Sequence, residues 1–308
     1  MLPRAFILST WVAGDPNSMR LVQQIARIAE SSSTVLVRGE CGVGKNHIAQ
    51  LLHFLGPNAD EPLVTLECAA LPAELLEGEL FGQEAEAFSQ LKRGRLEVAG
   101  SGTLVLDEVA ALSMPMQAKL LRVLDEKRYE RLGGTHALTT EARILALTSV
   151  DLEHAVARRS FREDLYFRLN VIPIFVPPLR ERVADIRLLA EHFLQQLTAV
   201  HRKPEMAFSS AALAVLQAYG YPGNVRELRN VVEHSVLSAT PPEILLENLP
   251  AHMRHLGGAA KVISLEQLER RHIAEVLGFT HGKKTQAAQI LGISRKTLLE
   301  KRKRYGLE

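Results

Sequence analysis

Cysteine is almost absent from this 308-residue chain. Cys41 and Cys68 are the only two, with no CxxC pair and no histidine at metal-ligand spacing. That excludes a disulfide scaffold and leaves two reduced thiols as the expectation. The eleven histidines are scattered and outline no metal site. Long apolar runs are missing too: no stretch reaches the roughly 18 uninterrupted residues that a membrane helix needs. The segment Met1–Gly14 holds one arginine and a short apolar run from Ala5 to Leu8. It is too short and too interrupted for a secretory signal. Aromatics make up 5% of the chain, with a single tryptophan, and there is no internal repeat or low-complexity tract. These absences point to a helix-rich cytoplasmic protein, and the length calls for two or three domains.

Charge is informative by region only. The whole chain carries +2, but residues 261–308 hold eleven Lys/Arg against five Asp/Glu, a net +6 on a body of −4. A basic module on a mildly acidic body is the footprint of a nucleic-acid-binding tail, with a solvated charged face as the plainer alternative.

Along the chain, the β-branched, apolar run Ser33 to Arg38 leads straight into Gly39-Glu40-Cys41-Gly42-Val43-Gly44-Lys45. Ile48, Leu51, Leu52 and Leu55 then recur at helical spacing. A second run, Thr103 to Leu106, ends in Asp107-Glu108, and a third, Ala142 to Leu147, ends at Thr148-Ser149. Runs that are apolar on both faces and alternate with helices predict a parallel sheet covered on both sides. From Pro177 the pattern changes: Ile186, Leu189, Ala190, Phe193, Leu194 and Leu197 mark an amphipathic helix, and Ser209-Ser210 starts another. Residues 175–250 therefore predict a small all-helical domain, and Gly257-Gly258-Ala259-Ala260 a linker.

Strand, glycine loop and helix are the context of a P-loop. Gly39-x4-Gly44-Lys45 has its spacing, with backbone N–H groups to curl around phosphate and a lysine for the terminal phosphates. The next position, usually Ser or Thr for magnesium, is Asn46. Asp107 at the end of a buried strand is placed to hold hydrated Mg2+, and Glu108 to polarise an attacking water.

At these residues the chain resembles the AAA+ enhancer-binding activators that serve sigma-54 RNA polymerase. The resemblance extends through residues 117–124 (QAKLLRVL), 161–170 (FREDLYFRLN), 177–182 (PPLRER) and 221–228 (YPGNVREL). It implies ATP and Mg2+ as ligands, and it implies a ring in which Arg162 and Arg168 reach the neighbouring subunit's nucleotide. Arg226 matches the sensor arginine of a helical lid. Without the resemblance, Arg162 and Arg168 would read as surface ion-pair residues.

Four departures from the family pattern stand out. Glu86-Ala87-Phe88-Ser89-Gln90-Leu91 replaces the Gly-Ala-Phe-Thr-Gly-Ala loop that contacts sigma-54, and without either glycine the tip cannot keep its shape. Glu67 stands where the family has an asparagine that positions the catalytic glutamate. Two close carboxylates cannot both stay ionised without a cation or a shared proton. Ser149 stands in the first sensor position, usually Asn, and Asn46 where Glu is common. Nucleotide binding remains expected; hydrolysis and contact with sigma-54 are put in question.

The tail, residues 284–305, reads as two helices. The first carries Thr285, Gln286, Ala287, Ala288 and Leu291, and a turn follows at Gly292. Ser294 caps the second, which buries Leu298 and presents Arg295, Lys296, Thr297, Lys301, Arg302, Lys303 and Arg304. This is similar to the Fis-type helix-turn-helix of the same regulators. Its early residues are expected to face base edges in the major groove, and its later cations the phosphates. A dimer on a palindromic site in double-stranded DNA follows from that resemblance.

The expected architecture is an α/β parallel-sheet AAA+ subdomain over 1–174, a helical lid over 175–253, a linker over 254–262 and an all-α helix-turn-helix domain over 263–308. No regulatory domain is expected ahead of the P-loop. The expected function is a bacterial, DNA-binding transcription regulator with an ATP-binding module, acting on RNA polymerase holoenzyme. The alternative is a regulator that does not remodel sigma-54 polymerase and uses nucleotide as an oligomerisation switch.

Overall fold

The computed structural model describes residues 11–84, 91–257, 265–280 and 283–306. They divide into two compact units, Met1–Arg254 and His255–Glu308.

The first unit opens with helix α1 (Pro16–Ile28), whose Asp15 N-cap accepts from Asn17 N and whose first residue is proline. Both features favour a helix start. Strand β1 (Val35–Arg38) enters the P-loop, and helix α2 (Lys45–Phe54) leaves it. Then come β2 (Leu63–Glu67), α3 (Ala73–Phe81), α4 (Arg95–Ala99) and β3 (Thr103–Asp107). They are followed by α5 (Met114–Glu126), β4 (Arg143–Thr148), α6 (Leu152–Ala157), α7 (Glu163–Leu169) and β5 (Ile172–Phe175). The five strands form one sheet in the order β2-β3-β4-β1-β5, every pair parallel.

Side chains alternate between its faces, as strand geometry requires. Val35, Val37, Val105, Leu145 and Leu147 pack with residues of α1 and α2. Leu36, Leu104, Leu106, Ile144 and Ala146 pack with residues of α3, α4 and α5. Coverage on both faces is why the strands read as unbroken apolar runs. The loops after β1, β3 and β4 converge at the carboxyl ends of the strands, the usual crevice for ligands in open α/β sheets.

At the opposite end of the sheet, Arg143 is buried and donates to the carbonyls of Ile28, Ala29, Ser33 and Leu52. It thereby closes the carboxyl ends of α1 and α2, where a cation also complements the helix dipoles.

The lid comprises α8 (Val183–Val200), α9 (Ser210–Ala218, capped by Ser209), α10 (Asn224–Ser238) and α11 (Ala251–Gly257). It is not purely helical as expected, because Ala207–Phe208 and Glu243–Ile244 pair as two short parallel strands. Its core gathers Ile186, Ala190, Leu216, Tyr221, Leu228 and Val232. Buried Asp185 ties it to the segment before α1, accepting from Gly14 N at 2.6 Å, Asp15 N at 2.8 Å and the Ser18 hydroxyl. Next to it, Arg182 donates to Val43 O at 2.8 Å and lies over the Trp11 ring.

The second unit holds α12 (Leu265–Phe279), α13 (Lys284–Ile290) and α14 (Arg295–Tyr305) around Ile273, Val276, Ala287, Ala288, Leu298 and Tyr305. Gly292 takes a φ of +65° in the turn, which L side chains rarely adopt, and Ser294 caps α14. Among the described residues of the chain, no helix is long and apolar enough to cross a membrane.

Candidate functional site

The phosphate loop is built on glycine geometry. Gly42 and Gly44 have φ of +79° and +107°, and a Cβ on Gly42 would lie 2.3 Å from Gly223 O. A Cβ on Gly39 would meet Val176 O at 2.7 Å, so this position too needs glycine. Lys45, 7% exposed, donates to Gly39 O at 3.0 Å and Glu40 O at 3.3 Å, and pairs with Glu108 Oε1 at 3.1 Å. All three ammonium hydrogens thus have a partner at the mouth of the loop.

Asn46 and the acidic pair close the other side. Asn46 Nδ2 donates to Asp107 Oδ2 at 2.7 Å. An ionised carboxylate only accepts, so this contact fixes which end of the amide faces Asp107. Glu108 sits at the end of β3 in a left-handed backbone conformation, φ 55°. Its Oε2 accepts from Ser149 N at 2.9 Å and Ser149 Oγ at 2.8 Å. Partial burial raises the Glu108 pKa, but the two Ser149 hydrogen bonds and Lys45 outweigh it and hold the carboxyl below its ordinary value. Glu108 is therefore ionised at neutral pH.

Glu67 pairs in register with Asp107 and is exposed. No hydrogen bond or ion pair connects its side chain with Glu108. The bonding partners of the Glu108 carboxylate are a lysine and a serine. Cys68, buried beside the acids, has its thiol pushed up to about 12, first by burial and then by Asp107 and Glu108. It is an inert packing residue.

The lid grips the outer side of the loop. Arg180 forms a two-point pair with Glu40, at 2.6 and 2.8 Å, and Asn224 Nδ2 donates to Glu40 Oε2 at 3.1 Å and Cys41 O at 3.0 Å. Arg180 and Asn224 hold the Glu40 carboxyl down at about 2. Val225 N and Arg226 N donate to Gly42 O, and Arg226 Nη1 reaches Cys41 Sγ at 3.5 Å. Arg180 and Asn224 went unread in the sequence as site residues, although both lie in the quoted segments 177–182 and 221–228.

Arg162 and Arg168 lie elsewhere. Arg162 stands at the N-cap position of α7, without a side-chain capping bond, and pairs with Asp164, while Arg168 pairs with Asp125 and donates to Leu124 O at the end of α5. Neither makes a hydrogen bond or ion pair with the P-loop or with Asp107 and Glu108. Gln117 holds the start of α7 by accepting from Arg162 N and donating to Leu112 O and Ser160 O.

Of the loop 86–91, residues 86–90 lie outside the described residues, and Leu91 is exposed. Its base is clamped, a feature the sequence did not disclose. Arg131 makes a two-point pair with Glu97 and a further bond to Glu84 at 2.7 Å.

In the second unit, Thr285, Gln286, Ser294, Arg295 and Lys296 are exposed at the starts of α13 and α14, and Thr297 hydrogen-bonds Ser294. Lys301 and Tyr305 OH bind Glu269, and Arg304 binds Glu266, so these three tie α14 back to α12. The Arg304 side chain remains 67% exposed in its pair, and that of Lys301 28% exposed. Arg302 is half-buried.

Three family models cover the chain: "Sigma-54 interaction domain" over residues 12–175, "AAA+ ATPase lid domain" over 180–264, and "Bacterial regulatory protein, Fis family" over 264–305. The chain is 40% identical to the regulatory protein AtoC of Escherichia coli, over 96% of its own length and 68% of AtoC. It is 42% identical to the E. coli transcriptional regulatory protein ZraR, over 94% of its length and 67% of ZraR. Among solved structures, NtrX from Brucella abortus in complex with ATP matches with a TM-score of 0.74 at 35% identity, over 96% of this chain and 69% of NtrX.

Proposed function

Since the chain belongs to the family of AAA+ sigma-54-interacting transcription regulators with a Fis-type DNA-binding domain, we propose that it hydrolyses ATP and couples hydrolysis to ring assembly on DNA. That it is a nucleotide-binding, DNA-binding transcription regulator follows from the family; turnover and assembly are the step beyond. The observation that carries them is the placement of Glu108, ionised and with Oε1 3.1 Å from the P-loop lysine.

The steps follow from these contacts. Phosphate oxygens draw Lys45 off Glu108 and onto themselves, while the backbone N–H groups of the loop cradle them. Glu108 Oε1, released, then faces the space beyond the terminal phosphate and accepts hydrogen from a water there. The donor set fits Mg2+: Asp107 keeps an oxygen open beside Asn46, whose amide oxygen is open too. Magnesium bound there would neutralise phosphate charge. Arg162 and Arg168, standing apart from their own P-loop, are suited to a neighbour's nucleotide, where a guanidinium stabilises the charge of the transferring phosphoryl group.

On DNA, Arg295, Lys296 and Thr297 at the start of α14, with Thr285 and Gln286, are the residues proposed to meet the duplex, and a dimer would read a palindromic site. A second reading rests on Glu86–Leu91, whose glycine-free sequence argues for weak contact with sigma-54. Nucleotide would then chiefly set the oligomeric state. The test is steady-state ATPase together with nucleotide affinity, for the wild type and Glu108→Gln. Turnover abolished in the variant with affinity retained supports hydrolysis; affinity without turnover in the wild type supports the second reading.

A further inference from the structure

Two departures from the family pattern, Glu67 and Ser149, each look like damage to the hydrolytic machinery when read singly. The geometry around Glu108 reads them together. Glu67, on the strand paired with β3, makes no hydrogen bond to the glutamate. Both hydrogen-bonding groups of Ser149, its backbone N–H and its hydroxyl, converge instead on one oxygen, Oε2, at 2.9 and 2.8 Å.

Anchoring Oε2 at two points from the end of β4 fixes the carboxylate plane and aims the other oxygen, Oε1, at Lys45 Nζ. The lysine marks the terminal-phosphate end of the site, so Oε1 already lies where an attacking water must be met. A left-handed backbone at Glu108, with φ and ψ both 55°, costs energy in a residue with a Cβ and persists only where the surroundings enforce it. The Ser149 bonds are the enforcing contacts on its side chain.

We propose that Ser149 is the positioning residue for the catalytic glutamate, and that it fills the role left open by Glu67 by holding Glu108 Oε2 from the β4 side. The inference rests on the hydrolytic reading above. The anchor keeps Glu108 Oε1 at the lysine end of the site, ready when phosphate draws Lys45 away. Ser149 acts through Glu108 and need not touch the phosphate itself.

The experiment is a double-mutant cycle on the full chain, with Ser149→Ala, Ser149→Thr, Glu108→Gln and the Ser149→Ala/Glu108→Gln pair. Two readouts are taken: ATPase kcat, and affinity for ADP with and without aluminium fluoride, which mimics the transferring phosphoryl group. Ser149→Ala keeps the N–H and loses the hydroxyl. It is expected to lower kcat on the order of tenfold, and to weaken ADP–aluminium fluoride by a similar factor, with ADP affinity within twofold. Ser149→Thr, which keeps both donors, restores kcat. In the Glu108→Gln background, where no turnover remains to be read, Ser149→Ala has little further effect on ADP–aluminium fluoride affinity, because residues acting as one unit are not additive. The proposal is overturned if Ser149→Ala leaves kcat and analogue affinity unchanged in a wild type that turns over. It is equally overturned if the loss of ADP–aluminium fluoride affinity is additive with Glu108→Gln, which would mark a structural role. A wild type that binds ADP and never turns over contradicts the hydrolytic reading itself and removes the reaction this residue would serve.

Discussion

At the scale of single residues, the site is held by a few polar contacts whose strengths can be ranked by exposure. The Glu40–Arg180 pair is half-exposed, so solvent screening limits its contribution. It is nonetheless one of the links between P-loop and lid, and its pH dependence has a definite sign. The folded carboxyl titrates at about 2 against an ordinary 4.5. The stabilisation is therefore complete above about 4.5 and is lost as the pH falls from there toward 2. Urea midpoints between pH 7 and pH 3 should fall less steeply in Arg180→Ala than in the wild type; equal slopes would mean the pair is not made in solution. Asn46 allows a second prediction. If its amide oxygen joins Asp107 around magnesium, Asn46→Ala should shrink the gain in ATP affinity that Mg2+ gives over EDTA several-fold. ADP affinity in EDTA should stay put. The P-loop and the acidic pair were legible in the sequence because glycine spacing and a strand-terminal Asp-Glu are local signals. The capture of Glu108 by Ser149 was not, because residues 41 positions apart meet only through the β3–β4 pairing.

At the scale of elements, one of the contacts that fasten the lid is a buried carboxylate. Asp185 accepts from two backbone N–H groups and a hydroxyl, and lies 3.8 Å from the Arg182 guanidinium. Removing it leaves these donors and a buried cation without their partner, so Asp185→Ala should cost about 3 kcal/mol or more in chemical denaturation. A loss below about 1 kcal/mol would show that water replaces the carboxylate. In the DNA-binding unit the cations divide into two kinds. Lys296→Ala should lower the slope of log affinity against log salt by about one and leave the melting temperature unchanged. Lys301→Ala should lower the melting temperature instead, since Lys301 binds Glu269 on α12. If both variants change the salt slope equally, the Lys301 pair opens on DNA. Strands and helices were read from periodicity, since β1, β3 and β4 are buried on both faces and α8 on one. The short parallel pair in the lid, two residues from each partner, is too brief to leave a pattern. The Arg131 clamp joins Glu84 and Glu97 across 47 and 34 residues, and no local motif reports such a contact.

At the scale of the whole molecule, the two units differ in kind: a nucleotide-binding AAA+ unit and a basic DNA-binding unit, each with its own core. The arginines proposed to serve hydrolysis, Arg162 and Arg168, make no hydrogen bond or ion pair with the P-loop of their own chain. Arg162 and Arg168 are held on the surface by Asp164 and Asp125 instead. These pairs keep the cations ordered without burying them, so a neighbouring nucleotide can recruit them by exchange of one anionic partner for a more highly charged one.

In the proposed ring, one active site is assembled from two subunits. The most direct measurement mixes two inactive variants, Glu108→Gln and Arg162→Ala/Arg168→Ala, across a range of total concentration. The first supplies intact arginines and the second an intact Glu108, so mixed assemblies should recover part of the ATPase activity that neither has alone. Activity per subunit should climb with concentration in both the mixture and the wild type. A wild type whose specific activity is independent of concentration, with mixtures as inactive as their components, would contradict the claim and return hydrolysis to the single chain.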